Sequence, residues 1–170
     1  MKRGIEMAKL DCVTYIEEVM DEAHLEFDWM VQWNKRQTAV EIFCSIFAEV
    51  DLAETVIEDV EGTVTENDII EFEDAIIFYD PKKTTLDLAD YLVAIPFDSK
   101  KGIEKGLIDA VIKQLRIVMT EGQSDLLDFA TDPTIETFEL NWNEADFKGT
   151  LETYRETGRY NTELAAYPKF

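Results

Sequence analysis

Residues 19–29 read VMDEAHLEFDW, and within them Asp21-Glu22-Ala23-His24 spells the Mg²⁺-binding box of a class of nucleic-acid helicases. That chemistry needs a phosphate cradle, a G-x-x-x-x-G-K-[ST] loop whose backbone N–H groups hold the phosphates. No Gly-Lys in this chain is followed by Ser or Thr, and 170 residues fall short of one motor domain. The four letters also lie at the end of an amphipathic helix rather than after a buried strand. The match is a coincidence.

His24 is the only histidine, so every histidine-based mechanism rests on it. Asp21 stands three residues back and Glu17 seven, but zinc and di-iron centres need more N or S ligands than this. A boundary histidine bonded to a carboxylate is the simpler reading. GQSDL at 122–126 lacks the second glycine of a nucleophile elbow. Placing Gly62 at the obligatory sixth position of a calcium loop puts Ile57 where the first ligand must stand and Asp68 at the twelfth, so an EF-hand fails. Cys12 and Cys44 lie far apart, each among apolar residues, and read as small buried hydrophobes in a reducing cytoplasm. The sequence therefore nominates no catalytic residue, no metal ligand and no cofactor site.

Acids are the dominant feature. The chain carries 37 Asp and Glu against 16 Lys and Arg, a net charge of −21. Such a surface repels nucleic acid and anionic membranes and attracts basic proteins. Between Arg36 and Lys82 there are 13 acids and no base, and EVDLAETVIEDVEGTVTENDIIEFED holds 11 of them. One reading is a solvated face guarding a sheet edge, with Glu73, Asp74 and Asp80 flanking the sticky AIIFY. The sharper one is a docking ridge for a basic partner made of Asp51, Glu54, Glu58, Asp59, Glu61, Glu66 and Asp68. Trp29 and Trp33 form the second candidate surface, about 13 Å apart on one strand face. Core burial is the simpler account of them, and partner anchoring the sharper one.

These residues need elements to hold them. The length suits one domain, 1–170, with residues 1–8 as a flexible leader, Met7 as an alternative start and 158–170 as a tail. An apolar share of 46% is enough for a core, and no run approaches a membrane span. Helical spacing over 9–25 gathers Cys12, Ile16, Val19 and Met20 on one face. The period then changes to two: Phe27, Trp29, Val31 and Trp33, the turn Asn34–Gln37, and a second strand over 38–47 predict a hairpin. A short strand near Val56–Val60, a buried strand in EDAIIFYDP and another in DYLVAIPF follow. A long helix is expected over 101–120, a short one at SDLLDFA, a last strand at FELNW, and a helix over 143–157 stopped by Gly158. The tail aromatics Tyr160, Tyr167 and Phe170 either pack on the body or reach a neighbouring subunit. The whole is an α+β protein: N-terminal helix, antiparallel meander of about five strands, long and short helices, final strand and C-terminal helix.

Four segments, IIEFEDAIIFYDPKK, DYLVAIPF, KKGIEKGLIDAV and TEGQSDLLDF, resemble a family of short acidic proteins from Gram-positive bacteria of the lactic-acid type. The resemblance runs from about Met7 to Trp142. It implies a single cytoplasmic domain; the family is a domain of unknown function, so it implies no activity, ligand or site residue.

Three functions remain open. The leading expectation is a non-enzymatic interaction module, adaptor or chaperone-like, with an unknown and basic protein partner and a homodimer as one option. The alternative is an acidic mimic of nucleic acid that occupies a basic DNA- or RNA-binding protein. Third comes a small carboxylate-dependent enzyme, whose sign would be acids converging in a pocket.

Overall fold

The computed structural model describes residues 11–49 and 69–169. Helix α1 spans Cys12–Glu22, shorter than its apolar periodicity, because Asp11 caps it with a 2.8 Å bond from the Thr14 N–H. Cys12, Ile16 and Met20 are its buried stripe. The chain turns at His24, held at a positive φ of 50°, and enters the expected hairpin. Strands β1 (Asp28–Asn34) and β2 (Ala39–Glu49) pair antiparallel, Trp33 opposite Val40 and Trp29 opposite Cys44. Strand β3 (Ile69–Tyr79) pairs with the other edge of β2, Ile42 opposite Ile76. The strand expected near residues 56–60 lies outside the described residues.

The fourth strand corrects the expected meander. β4 (Val93–Pro96) runs parallel to β3, Ile77 opposite Ala94, so residues 80–92 cross over rather than form a hairpin. That connection is long enough for a crossover and far too long for a tight turn. Asp80 anchors its start at 4% exposure. Burial alone would raise its carboxyl, but the Ser99 side chain and the N–H groups of Lys82 (2.9 Å) and Ser99 (3.1 Å), helped by Lys83, hold it below the usual range. Further along, Tyr91 donates a short hydrogen bond to the buried Glu41, which lies opposite Ile77 on the sheet face away from the core cluster. On that face Glu41, Ser45, Ala75 and Ile77 are buried, whereas Phe47 on β2, Glu71 and Glu73 on β3 and Met30 on β1 stand open.

Helix α2 (Lys105–Thr131) fills the core face, burying Ile108, Val111, Leu115 and Val118 among others. Each such side chain contributes about 1.5–3 kcal/mol when fully removed from water. The short helix expected at SDLLDFA is the continuation of α2. Gly122 does not break it, since Leu140 lies where a Cβ would stand, and the helix ends only before Pro133, which disfavours helical backbone at Asp132. The final strand expected at FELNW is extended but pairs with no strand among the described residues. Its alternation has another cause. Phe138 packs edge-on against Phe72 at 4.8 Å, Leu140 is buried, and Trp142 leans on Phe147 at 5.5 Å. Helix α3 (Glu144–Glu156) begins at its Asn143 cap and stops at Gly158, as its sequence predicts.

The tail packs on the body. Strand β5 (Ile103–Glu104) pairs with β6 (Leu164–Ala165). The N–H of Cys12 donates to the Ala166 carbonyl (2.7 Å), that of Lys105 to Glu163 (2.8 Å), and that of Gly106 to Asn161 (2.7 Å). Tail carbonyls thus take up first-turn N–H groups of both α1 and α2, which no intrahelical bond satisfies. Close approach requires glycine here. A Cβ on Gly102, at φ +99°, would stand 2.3 Å from the Ala165 oxygen. Gly102→Ala should therefore cost about 1–3 kcal/mol in urea denaturation; a change within about 0.5 kcal/mol would contradict this docking.

Candidate functional site

β1 stops before β2 does. The last β1 partner is Asp28, opposite Ser45, whereas β2 continues through Ile46–Glu49 with only β3 beside it among the described residues. A notch opens on the β1 side, and beneath it lies a cleft of ≈ 660 Å³. One wall is the end of β2, with Phe47, Ala48 and Glu49; the other is a stripe of α2, with Met119, Thr120, Gln123, Ser124 and Leu127; Glu26 and Phe27 close the third side. Helical spacing produces the α2 wall, because residues three and four apart share a face.

The chemistry of this cleft is mixed in a particular way. Phe47, 36% exposed, and Leu127, 45% exposed, both border this cleft, Phe47 on the sheet face of Glu41 and Leu127 on α2. Among the described residues Glu26 and Glu49 are its charged members, with no cation in the lining. Thr120, Gln123 and Ser124 add hydrogen-bonding groups. A partly apolar cleft, with a strand edge unpaired among the described residues and an acidic rim, has the chemistry to take an extended chain that carries positive charge.

Trp29 and Trp33, as their spacing predicts, share the core face of β1, and both are half-buried. Trp29 packs against the core; Trp33 donates to the Tyr167 hydroxyl at 2.6 Å, with Lys35 4.7 Å over its ring. The two tryptophans are thus not gathered with the cleft. Asp51, Glu54, Glu58, Asp59, Glu61, Glu66 and Asp68 all lie outside the described residues, so the proposed ridge has no geometry to report. Phe47 and Leu127 were not singled out from sequence. Phe47 sits in a strand whose apolar residues fall on both faces, and Leu127 follows Leu126, of which only the first is buried.

Elsewhere, burial pushes the thiols of Cys12 and Cys44 up to about 12, aided by Asp11 and Asp74 respectively. Such thiols are poor nucleophiles at neutral pH. Burial also raises the carboxyls of Asp74, beside Cys44, and Asp109, which accepts a 2.8 Å bond from Tyr15. The two raised carboxyls sit on different elements with different partners. Among the described residues no three His, Cys, Asp or Glu side chains converge as metal ligands would, and no helix is long and apolar enough to cross a membrane.

Among the described residues the geometry defines an α+β protein with a four-stranded sheet, a long helix across one face of it and a tail clasping two helix starts. This architecture has a family. The chain belongs to the family described as Protein of unknown function (DUF3013), which it matches over residues 7–169. It is also similar to a crystal structure of a conserved protein of unknown function from Enterococcus faecalis, at 36% identity and a TM-score of 0.80, covering 99% of this chain and 98% of that one. The earlier resemblance to acidic proteins of lactic-acid-type bacteria is thus borne out. No curated protein matches the chain.

If the cleft is an open surface, its exposed wall is separable from the core. Leu127→Gln should change stability by no more than about 0.5 kcal/mol, whereas Met119→Ala, one helix-turn pair deeper, should cost about 2–5 kcal/mol in the same urea titration. A large loss at Leu127 would show that the position is core.

Proposed function

We propose that the protein is a non-enzymatic interaction module of the cytoplasm, which takes an extended, basic and apolar segment of a partner protein at the notch beside β2. The observation that carries this reading is the coincidence of three features in one place: a strand edge at Ile46–Glu49 that has no neighbour among the described residues, the exposed Phe47 and Leu127, and an acidic rim with no cation among its described members. Backbone pairing along the edge would supply affinity, and alternate side chains would enter the cleft. Specificity would come from charge, since a chain of net −21 attracts basic segments over a distance and repels acidic ones. Free, buried cysteines support the reducing compartment. Glu26 and Glu49 have a second, compatible use, because charges beside a strand edge discourage pairing between copies of the chain.

The test is a titration of the isotope-labelled protein with a synthetic peptide of alternating Val and Lys, beside its Val/Glu counterpart. The Lys peptide should shift the amides of Ile46–Glu49 and of Leu127, bind more weakly as salt rises, and lose about tenfold in affinity in Phe47→Ser/Leu127→Gln. Equal binding of both peptides, or shifts confined to other strands, would contradict the reading.

A further inference from the structure

Three grooves of the molecule differ in sign. Among the described residues, the cleft at the notch carries two glutamates and no cation, and a groove beside Phe129 carries Asp125, Asp128 and Glu139 and no cation. A third, ≈ 310 Å³, lies where α1, α2 and α3 meet and reverses the pattern: Lys113, Arg116 and Arg159 against Asp109 alone. In a chain where acids outnumber bases 37 to 16, a lining dominated by cations runs against the composition.

Its construction is specific. Asp109, Lys113 and Arg116 project from one face of α2 at spacings of four and three residues. Arg159 is delivered by the turn that ends α3. Gly158 at φ +77° lets the Arg159 N–H reach the Tyr154 carbonyl (2.8 Å) and its own N–H approach that of Arg155 (3.4 Å), the six-to-one and five-to-two pair of a Schellman stop. The same turn stacks the Arg159 guanidinium 4.9 Å from the centre of the Tyr154 ring, and Lys113 Nζ lies 5.6 Å from that centre. One buried ring therefore gathers two of the cations beside a third. Asp109 accepts from the Tyr15 hydroxyl, and its carboxyl is raised by burial first and by the nearby Glu22 of α1 second. Val19, Ala23 and Ile112 supply an apolar floor.

We propose that this groove binds an organic phosphate, its phosphate on Lys113, Arg116 and Arg159 and its apolar or flat part against Val19, Ala23 and Ile112. Three cations less one carboxylate leave two positive charges in the lining, which a phosphate dianion balances. Two guanidinium forks offer paired N–H donors matched to phosphate oxygens. The volume suits a small metabolite-sized ligand rather than a bare ion.

Phenyl phosphate is the probe, compared with inorganic phosphate and phenol by amide shifts of the full chain. Phenyl phosphate should saturate at millimolar concentration, shifting Val19, Ala23, Ile112 and Arg159, and should bind more tightly than either part. Lys113→Gln/Arg116→Gln, two exposed positions, should weaken it about tenfold, and raised salt should weaken it further. Four results would overturn the proposal: no saturable shift, shifts elsewhere, binding unchanged in the double variant, or inorganic phosphate binding as tightly as phenyl phosphate. In the first of these cases, a double variant that also loses stability would assign the cations to the C-terminal ends of α1 and α3.

Discussion

Two helix starts in this protein are finished by a segment from the far end of the chain. α2 has a glutamate at its cap position that makes no side-chain capping bond, and the N–H groups of Lys105 and Gly106 go to tail carbonyls instead. The first residue of α1, Cys12, does the same. Buried backbone donors left unpaired cost about 1–3 kcal/mol each, so the tail is bound to the body by need as well as by packing. Tyr160 reinforces it from one side, its hydroxyl on Glu104 at 2.6 Å and Arg155 over its ring at 4.6 Å; Tyr167 reinforces it from the other, between Trp33 and Phe97. Gly102 and Gly106 exist, on this view, to let the tail come close.

The clasp has a functional consequence. Tyr160, Tyr167 and Trp33, aromatics that could have anchored another molecule, are engaged in holding α1, α2 and β1 together. The surfaces left over are elsewhere: the notch where β2 outruns β1, and the groove between the three helices. Among the described residues they are opposite in charge and share no lining residue.

Much of the fold is legible in the sequence because its periodicities are clean. The hairpin of β1 and β2, the buried strand around AIIFY, the C-terminal helix and the Gly158 stop all follow from spacing and caps. The failures have identifiable causes. Phe138, Leu140 and Trp142 alternate like a strand, yet alternation reports an extended backbone with one buried side and says nothing about a hydrogen-bonded neighbour. Ser124 resembles a helix cap, but a cap needs an interruption before it, and Gly122 is tolerated because Leu140 packs over it. The parallel placement of β4 was available from the length of the stretch DPKKTTLDLADYL, which is a crossover's length. The candidate surfaces were the least legible. Whether Phe47 is open depends on where β1 ends, and the gathering of Lys113, Arg116 and Arg159 depends on α2 and α3 lying side by side; neither is a local property of the sequence.

The direct test of the clasp is native-state hydrogen exchange at three amides, Cys12, Lys105 and Gly106, whose bonds go to the tail. If the tail is integral to the fold, they exchange only through global unfolding, with the same free energy and denaturant dependence as the amides of Ile42 and Ile76 at the centre of the sheet. If instead they exchange by a low-energy local opening while Ile42 and Ile76 stay protected, the tail is a detachable arm. The fold would then not depend on it, and its aromatics would return as candidates for contact with a partner.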